Sequence, residues 1–348
     1  VTVVVIGAGL AGLSAAHELR RAGVAVVVLD AARRPGGVVV TEMPSQGWVV
    51  EGGPDGFLGS EPEIPALAAE LGIADRIVTQ AAAGSLVWDG HTLAPIAAGA
   101  AAGLLAIDAR DLDLSVGFRS FAAGMAELVA ALAAPVERHA AGVTAVTPTA
   151  RGFRLSGTGG MSFECRGAVL AIPAYAATGV LAALDAEARG TLAAIHYHPS
   201  VNVSLAYRRE QVGHALAASG FAARPEAPGV VRACTFASSK FPGRAPPGHV
   251  LLRAFVAAVE EDDPGAAAHA ALAPVLAIAG EPLWTRMFQW PRGIPRYGAG
   301  HDERVALARR RLERFGPLVL AGAGYDGAGV SACVRSGRAA GRALLARL

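Results

Sequence analysis

Near the start of this 348-residue chain, Gly7-Ala8-Gly9-Leu10-Ala11-Gly12 spaces three glycines as G-x-G-x-x-G. Such a turn cradles a pyrophosphate: Gly7 allows the tight turn, Gly9 lets backbone approach the phosphates, and Gly12 lets a helix pack closely on a strand. That chemistry requires particular elements around the glycines. Val1–Ile6 (VTVVVI) is a β-branched run suited to a buried parallel strand. A helical pattern through Leu13, Ala16 and Leu19 follows, Gly23 ends it, and Val24–Leu29 reads as a second strand closing on Asp30. The helix N-terminus at Leu10 and Ala11 offers N–H groups to phosphates, and Asp30, with Ala31 beside it, can accept from ribose hydroxyls. Strand, glycine turn, helix, strand and acid, in that order, predict a dinucleotide site.

Arg34-Pro35-Gly36-Gly37 and then Gly47-Trp48-Val49-Val50-Glu51-Gly52-Gly53-Pro54 follow the acid. This arrangement resembles the flavin amine oxidase superfamily, in which these stretches run along the flavin. The resemblance implies FAD held by Gly7, Gly9, Leu10, Ala11, Gly12, Asp30, Ala31, Arg34, Gly36, Gly37, Gly52, Gly53, Pro54 and Asp55. It also implies later contributions. Val143–Val146 reads as a strand after a helix over Met125–Leu132, with Val143 on the adenine side. Ala168–Pro173 reads as a strand that returns the chain to the nucleotide domain through Ala171. Leu318–Gly322 reads as a last strand, and Gly329-Val330 opens a helix to Leu345 whose N-terminus stabilises negative charge on the flavin N1–C2=O edge. Cys333 lies beyond Gly329-Val330 as in relatives with non-covalent flavin, so non-covalent FAD is expected.

Four further stretches narrow the resemblance. They are Gly52–Leu58, Phe241–Pro246 with Gly248–Leu252, Trp290-Pro291 with Gly293–Pro295, Tyr297 and Gly300-His301, and Leu320–Gly322 with Tyr325, Gly327, Gly329-Val330, Cys333 and Ser336-Gly337. Together they are similar to the protoporphyrinogen oxidase family, which includes bacterial enzymes acting on coproporphyrinogen. The resemblance implies oxidation of a porphyrinogen to the porphyrin in haem biosynthesis, by hydride transfer to flavin N5, with O2 as acceptor and H2O2 released. Departures are Ala323 where asparagine is common, Ala123 where a second glycine is usual, and Val256-Ala257-Ala258 where a strand tends to end on a glycine pair. The stretch between Leu93 and Phe121 is far shorter than the family's helical lobe, which covers substrate and, in membrane-associated members, contacts lipid. An open pocket is expected, or one closed by a homodimer contact or a covering partner.

A porphyrinogen is a large macrocycle bearing propionates, so its site needs apolar walls and cations. Arg232 and Arg253 are the first candidates for the cations, with Arg286, Arg292 and Arg296 behind them; Phe255, Phe288 and Trp290 are candidates for the walls. No general base is demanded and none is assigned, because the flavin carries the chemistry. His17 reads as a packing residue, His196 and His198 as a half-exposed strand face without a third metal ligand, and His301 as a structural hydrogen-bonding group. Two other readings remain open: a flavin-dependent oxidase or desaturase on another apolar substrate, and a non-catalytic FAD-bound scaffold that needs a partner.

Composition sets outer limits. Thirty-one Lys+Arg against 29 Asp+Glu leave a net charge of +2, without the basic surplus of a nucleic-acid binder. Lys240 is the sole lysine. Cys165, Cys234 and Cys333 match no CxxC spacing, so neither a disulfide framework nor a metal site is expected, and a cytoplasmic setting is. The chain opens on a strand without a charged leader, and its most apolar window, Ile96–Ile107, is too short to span a bilayer. The fold class expected is α/β. An FAD-binding Rossmann-like domain is assembled from discontinuous segments (1–85, 121–182 and 302–348). An interleaved α+β substrate domain (183–301) contains a mixed or antiparallel sheet, and 86–120 is left as the shortened lobe.

Overall fold

The computed structural model describes residues 2–97, 99–104, 113–257 and 263–348. Thr2–Ile6 lies inside a parallel sheet whose strands run, in spatial order, Glu137–Ala140, Ala25–Asp30, Thr2–Ile6, Gly167–Leu170 and Leu318–Leu320. From Val3 to Ile6 the strand is apolar at every position because both of its faces are covered. Val3 and Val5 pack with Leu13 and Leu19 of the helix Leu10–Arg21 and with Val334 of the helix Val330–Leu345. Val4 and Ile6 point the other way, into a core with Phe153, Leu192 and Leu312. This three-layer arrangement is the expected discontinuous nucleotide domain: its five strands come from four separated stretches of sequence.

Close backbone contact fixes the two helices. A Cβ on Gly12 would stand 1.9 Å from the carbonyl oxygen of Gly7, and one on Gly337 would stand 2.0 Å from that of Ala11. The first and last helices therefore cross at glycine, and their N-termini open on the same side of the sheet.

The second half is a mixed sheet in the order Trp284–Pro295, Tyr197–Arg208, His249–Val256, Val231–Thr235, Gly220–Ala223, Ser85–Trp88 and Leu93–Ile96. Its pairings are antiparallel except that between Gly220–Ala223 and Ser85–Trp88. The helix Pro264–Leu276 covers one face through Ala268, Leu272 and Leu276. Its N-terminus is capped by Asp263, which accepts from the N–H groups of Gly265 and Ala266. The other face carries Asn202, Arg253 and Phe288 toward the nucleotide domain.

Two expected boundaries move. Ser85–Trp88 and Leu93–Ile96 are strands of the substrate sheet, so the segment 86–120 is not simply a vestige of a helical lobe. The short helix Ala100–Leu104 packs against the same part of that sheet, while Ala98 and residues 105–112 lie outside the described residues. Ala174–Val180 and Ala186–Ala193 pack on the nucleotide core, which places the crossing at Tyr197 rather than at 183. Among the described residues no helix is long and apolar enough to cross a membrane.

Candidate cofactor and substrate site

Each glycine of the first motif has a separate physical reason. Gly7 has φ +107°, and a Cβ there would meet the carbonyl oxygen of Ala171 at 2.4 Å, so Ala171 closes the floor of the turn. Gly12 is set by helix–strand packing. Gly9 is different: its φ of −72° suits any residue, and a Cβ would meet nothing within 4 Å. Neither backbone conformation nor protein packing calls for glycine there, and the open space in front of it is where a pyrophosphate would lie. The N–H groups at the start of the Leu10–Arg21 helix border that space without a side-chain cap. The residues present thus fit a dinucleotide.

Asp30 stands at the end of its strand, where Oδ2 accepts from Ala8 N at 2.6 Å and Oδ1 from Ala32 N at 2.7 Å. It braces the glycine turn and retains lone pairs for a ribose. Ala141 N donates to the carbonyl of Asp30, and a Cβ on Gly142 would be 3.5 Å from Ala31, so Val143 starts its strand beside the Asp30-Ala31 edge. Gly36 bridges to Gly9, and Gly36 N donates to Ala8 O at 2.7 Å, laying the second glycine stretch against the first. Arg34 donates to the carbonyls of Pro35, Val39 and Gly37, so its guanidinium shapes this loop.

Gly52 and Gly53 are pressed between the two domains. A Cβ on Gly53 would stand 1.8 Å from Val38 O, and one on Gly52 would enter the ring of Phe288 at 2.4 Å. Gly52 O accepts from Asn202 Nδ2 at 3.0 Å and from Trp290 Nε1 at 2.8 Å, and Gly53 O accepts from Arg253 Nη2 at 2.5 Å. Pro54 leads to Asp55, whose carboxylate meets Lys240 Nζ at 2.9 Å. At the other end of the chain, Gly322 (φ +118°) leaves the last strand beside Ala11, and its N–H donates to Ser336 Oγ at 2.8 Å. Gly329 begins the last helix with Val330 as its first residue and no side-chain cap. Its free N–H groups and those of the first helix make two positive helix ends on one side of the sheet.

The substrate expectations need correction. Arg253 is buried and committed to Gly53 O and Asn202 Oδ1, with its guanidinium 4.7 Å from the Phe255 ring; it is not a free cation for a propionate. Arg232 donates to the carbonyls of Pro225 and Ala227 and ties down a loop. Phe288 and Trp290 wall the Gly52 stretch itself. Arg292 lies 3.9 Å over the Tyr175 ring, Arg286 is 3.6 Å from Glu42, and Arg296 donates to His198 Nε2. That last bond accounts for His198, and among the described residues no group of His, Cys, Asp and Glu could hold a metal. His17 pairs with Glu70 at 3.0 Å. His301 is buried, and among the described residues neither ring nitrogen has a hydrogen-bond partner; it packs 4.7 Å from the Tyr297 ring instead of anchoring a structural bond.

Sequence reasoning missed a charged cluster under the Gly52–Asp55 stretch. Glu51, Lys240, Arg244 and Arg253 are buried, and Asp55 largely so. Burial pushes the Glu51 carboxyl up to about 7, against the pull of Thr41, Met125 N and Arg244. Burial also opposes ionisation of Asp55, but Lys240 and Arg253 outweigh it and hold that carboxyl below the usual range. Arg244 donates to Ser120 Oγ and to the carbonyls of Phe121 and Ala122, stitching the substrate domain to the strand Phe118–Phe121. The one available signal was Lys240, a single lysine in a chain that otherwise uses arginine.

Comparison with known proteins agrees with this geometry. Residues 88–345 match the model described as flavin containing amine oxidoreductase, and residues 5–71 match the NAD(P)-binding Rossmann-like domain. Coproporphyrinogen III oxidase of Bacillus subtilis is 23% identical over 456 aligned positions, covering 97% of this chain and 96% of the relative. The Mycobacterium bovis enzyme of the same name is 28% identical, covering 98% and 96%. The aligned lengths exceed this chain's own 348 residues, so the relatives carry segments with no counterpart here. A solved structure from Exiguobacterium sp. 255-15 superposes with a TM-score of 0.85 at 20% identity over 99% of both chains. Cyclohexylamine oxidase from Brevibacterium oxydans gives 0.80 at 15%, over 99% of this chain and 98% of that one; at these identities the likeness is one of fold.

Proposed function

Because the chain belongs to the flavin containing amine oxidoreductase family, we propose that it is an FAD-dependent oxidase of a porphyrinogen, coproporphyrinogen III or protoporphyrinogen IX, working in the cytoplasm in haem biosynthesis. The observation that carries this reading is the near end-to-end match to the Bacillus subtilis coproporphyrinogen III oxidase. FAD, when bound, supplies hydride acceptance from the substrate and reoxidation by O2 with release of H2O2.

The chain's own residues bind and orient. Gly7, Gly9 and Gly12, with the N–H groups of Leu10 and Ala11, would hold the pyrophosphate, and Asp30 the ribose. Gly322 and the helix end at Gly329-Val330 would offset negative charge on the flavin. Asn202, Trp290 and Arg253 fix the carbonyls of Gly52 and Gly53, so the stretch proposed to border the flavin cannot drift. Phe288 and Phe255 offer apolar surface beside it. With Arg253 and Arg232 bound to backbone, cations for propionates would have to come from Arg286 or Arg292 on the outer strand, from Arg296 just beyond it, or from a covering chain.

Aerobic incubation with each porphyrinogen in turn, followed by porphyrin fluorescence against an enzyme-free control, tests the reading. FAD-dependent fluorescence with H2O2 release is expected. A flavin-loaded protein that leaves both porphyrinogens at the control rate would overturn it.

A further inference from the structure

The charged cluster is hydrogen-bonded but not charge-balanced. Lys240 faces Asp55 at 2.9 Å and lies over the rings of Phe118 and Phe241. Arg244 and Arg253 are satisfied mainly by neutral acceptors, and the carboxylate nearest Arg244, Glu51 Oε1, is 3.9 Å away. Glu127 also feels Arg244, but it is taken by Arg76 at 3.0 Å. Three cations therefore meet two carboxylates, and burial holds one of these, Glu51, partly protonated near neutral pH. An uncompensated charge away from water is costly.

At the centre is a small, partly open cavity whose lining includes Glu51, Asp55, Ser204, Arg244 and Arg253. It has room for one small occupant. Ser204 is buried and lines this cavity, and among the described residues its Oγ has no hydrogen-bond partner. A water molecule would satisfy Ser204 but leave the surplus positive charge.

We propose that this cavity binds one monovalent, halide-sized anion, chloride in ordinary buffers, between Arg244, Arg253 and the hydroxyl of Ser204. The anion balances the cluster and locks the Gly52–Asp55 stretch to the substrate sheet. It acts as a structural ligand of the domain interface rather than as a reactant. The inference does not depend on which substrate the protein oxidises.

Bromide-soaked crystals of the flavin-loaded protein test it directly, with anomalous density expected within hydrogen-bond reach of Ser204 Oγ. Replacing chloride by gluconate at constant ionic strength should lower Tm by about 2–4 °C. Ser204→Asp brings a carboxylate into the cavity and should abolish that dependence while flavin absorbance is retained. Density without anomalous signal, a wild-type Tm indifferent to halide, or a folded Ser204→Asp protein that keeps the dependence would each overturn the proposal. Should Ser204→Asp not fold, the wild-type bromide density decides.

Discussion

The indole of Trp290 donates to the carbonyl of Gly52 across 2.8 Å and 238 positions of sequence. Arg253 makes the neighbouring bond to Gly53, 200 positions away. Two side chains that the sequence suggests for substrate thus hold the protein's own backbone.

Arg253→Lys tests that assignment. Lysine keeps the charge but cannot bond Gly53 and Asn202 together in the geometry of a guanidinium fork. The variant should lose about 1–3 kcal/mol of stability, as a broken buried charged hydrogen bond does, and a large part of its flavin. These effects are read from Tm and the ratio of visible to ultraviolet absorbance. A rise in KM alone, with flavin and Tm intact, would return Arg253 to substrate binding.

Gly9→Val separates cofactor from scaffold. The backbone at Gly9 is extended and the space in front of it empty, so apoprotein Tm should stay within about 1 °C of wild type, as for a surface substitution. FAD affinity should fall roughly tenfold or more, because the side chain fills the pyrophosphate position. Gly7→Ala, at positive φ and against Ala171, should instead lower apoprotein stability. Full flavin occupancy in Gly9→Val would refute the cradle.

Cys333 donates weakly to Gly327 O, and burial pushes its thiol up to about 11, so it is a poor nucleophile at neutral pH. Acid precipitation should release the yellow colour into the supernatant. Colour in the pellet would indicate a covalent bond.

Glu51 should give stability a pH dependence. Its carboxyl is raised on folding from 4.5 to about 7, so its contribution is full below pH 4.5 and is lost as pH rises through 7. The loss is at most about 3 kcal/mol. Between pH 5 and 8 wild-type Tm should fall more steeply than that of Glu51→Gln; parallel curves would show that Glu51 does not titrate there.

The nucleotide half was legible in the sequence because local rules set it. A run buried on both faces, the glycine spacing and Asp30 each act within about thirty residues. The last strand and helix were equally legible, through Gly322, Gly329-Val330 and Ser336-Gly337. The roles of Arg232, Arg253 and Trp290 were not, because a side chain's partner is set by sheet register and by how two domains meet. Arg253 in VLLRAF carries no mark of facing Gly53. The strand Ser85–Trp88 was missed for the same reason: its pairing with Gly220–Ala223 joins segments more than a hundred residues apart, and Leu93–Ile96 joins the sheet only through its hairpin with Ser85–Trp88.

The glycine crossing of the first and last helices bears on how the chain is made. Synthesis reaches Gly7–Gly12 about three hundred residues before the strand Leu318–Leu320 and the helix from Val330. Until then the turn lacks the neighbour that meets it at Ala11, and the nascent sheet lacks its outermost strand. The two helix ends proposed to face the flavin therefore come together only after nearly all of the sequence between them has been made, and a stop before Gly337 would remove the contact that seats the last helix on Ala11.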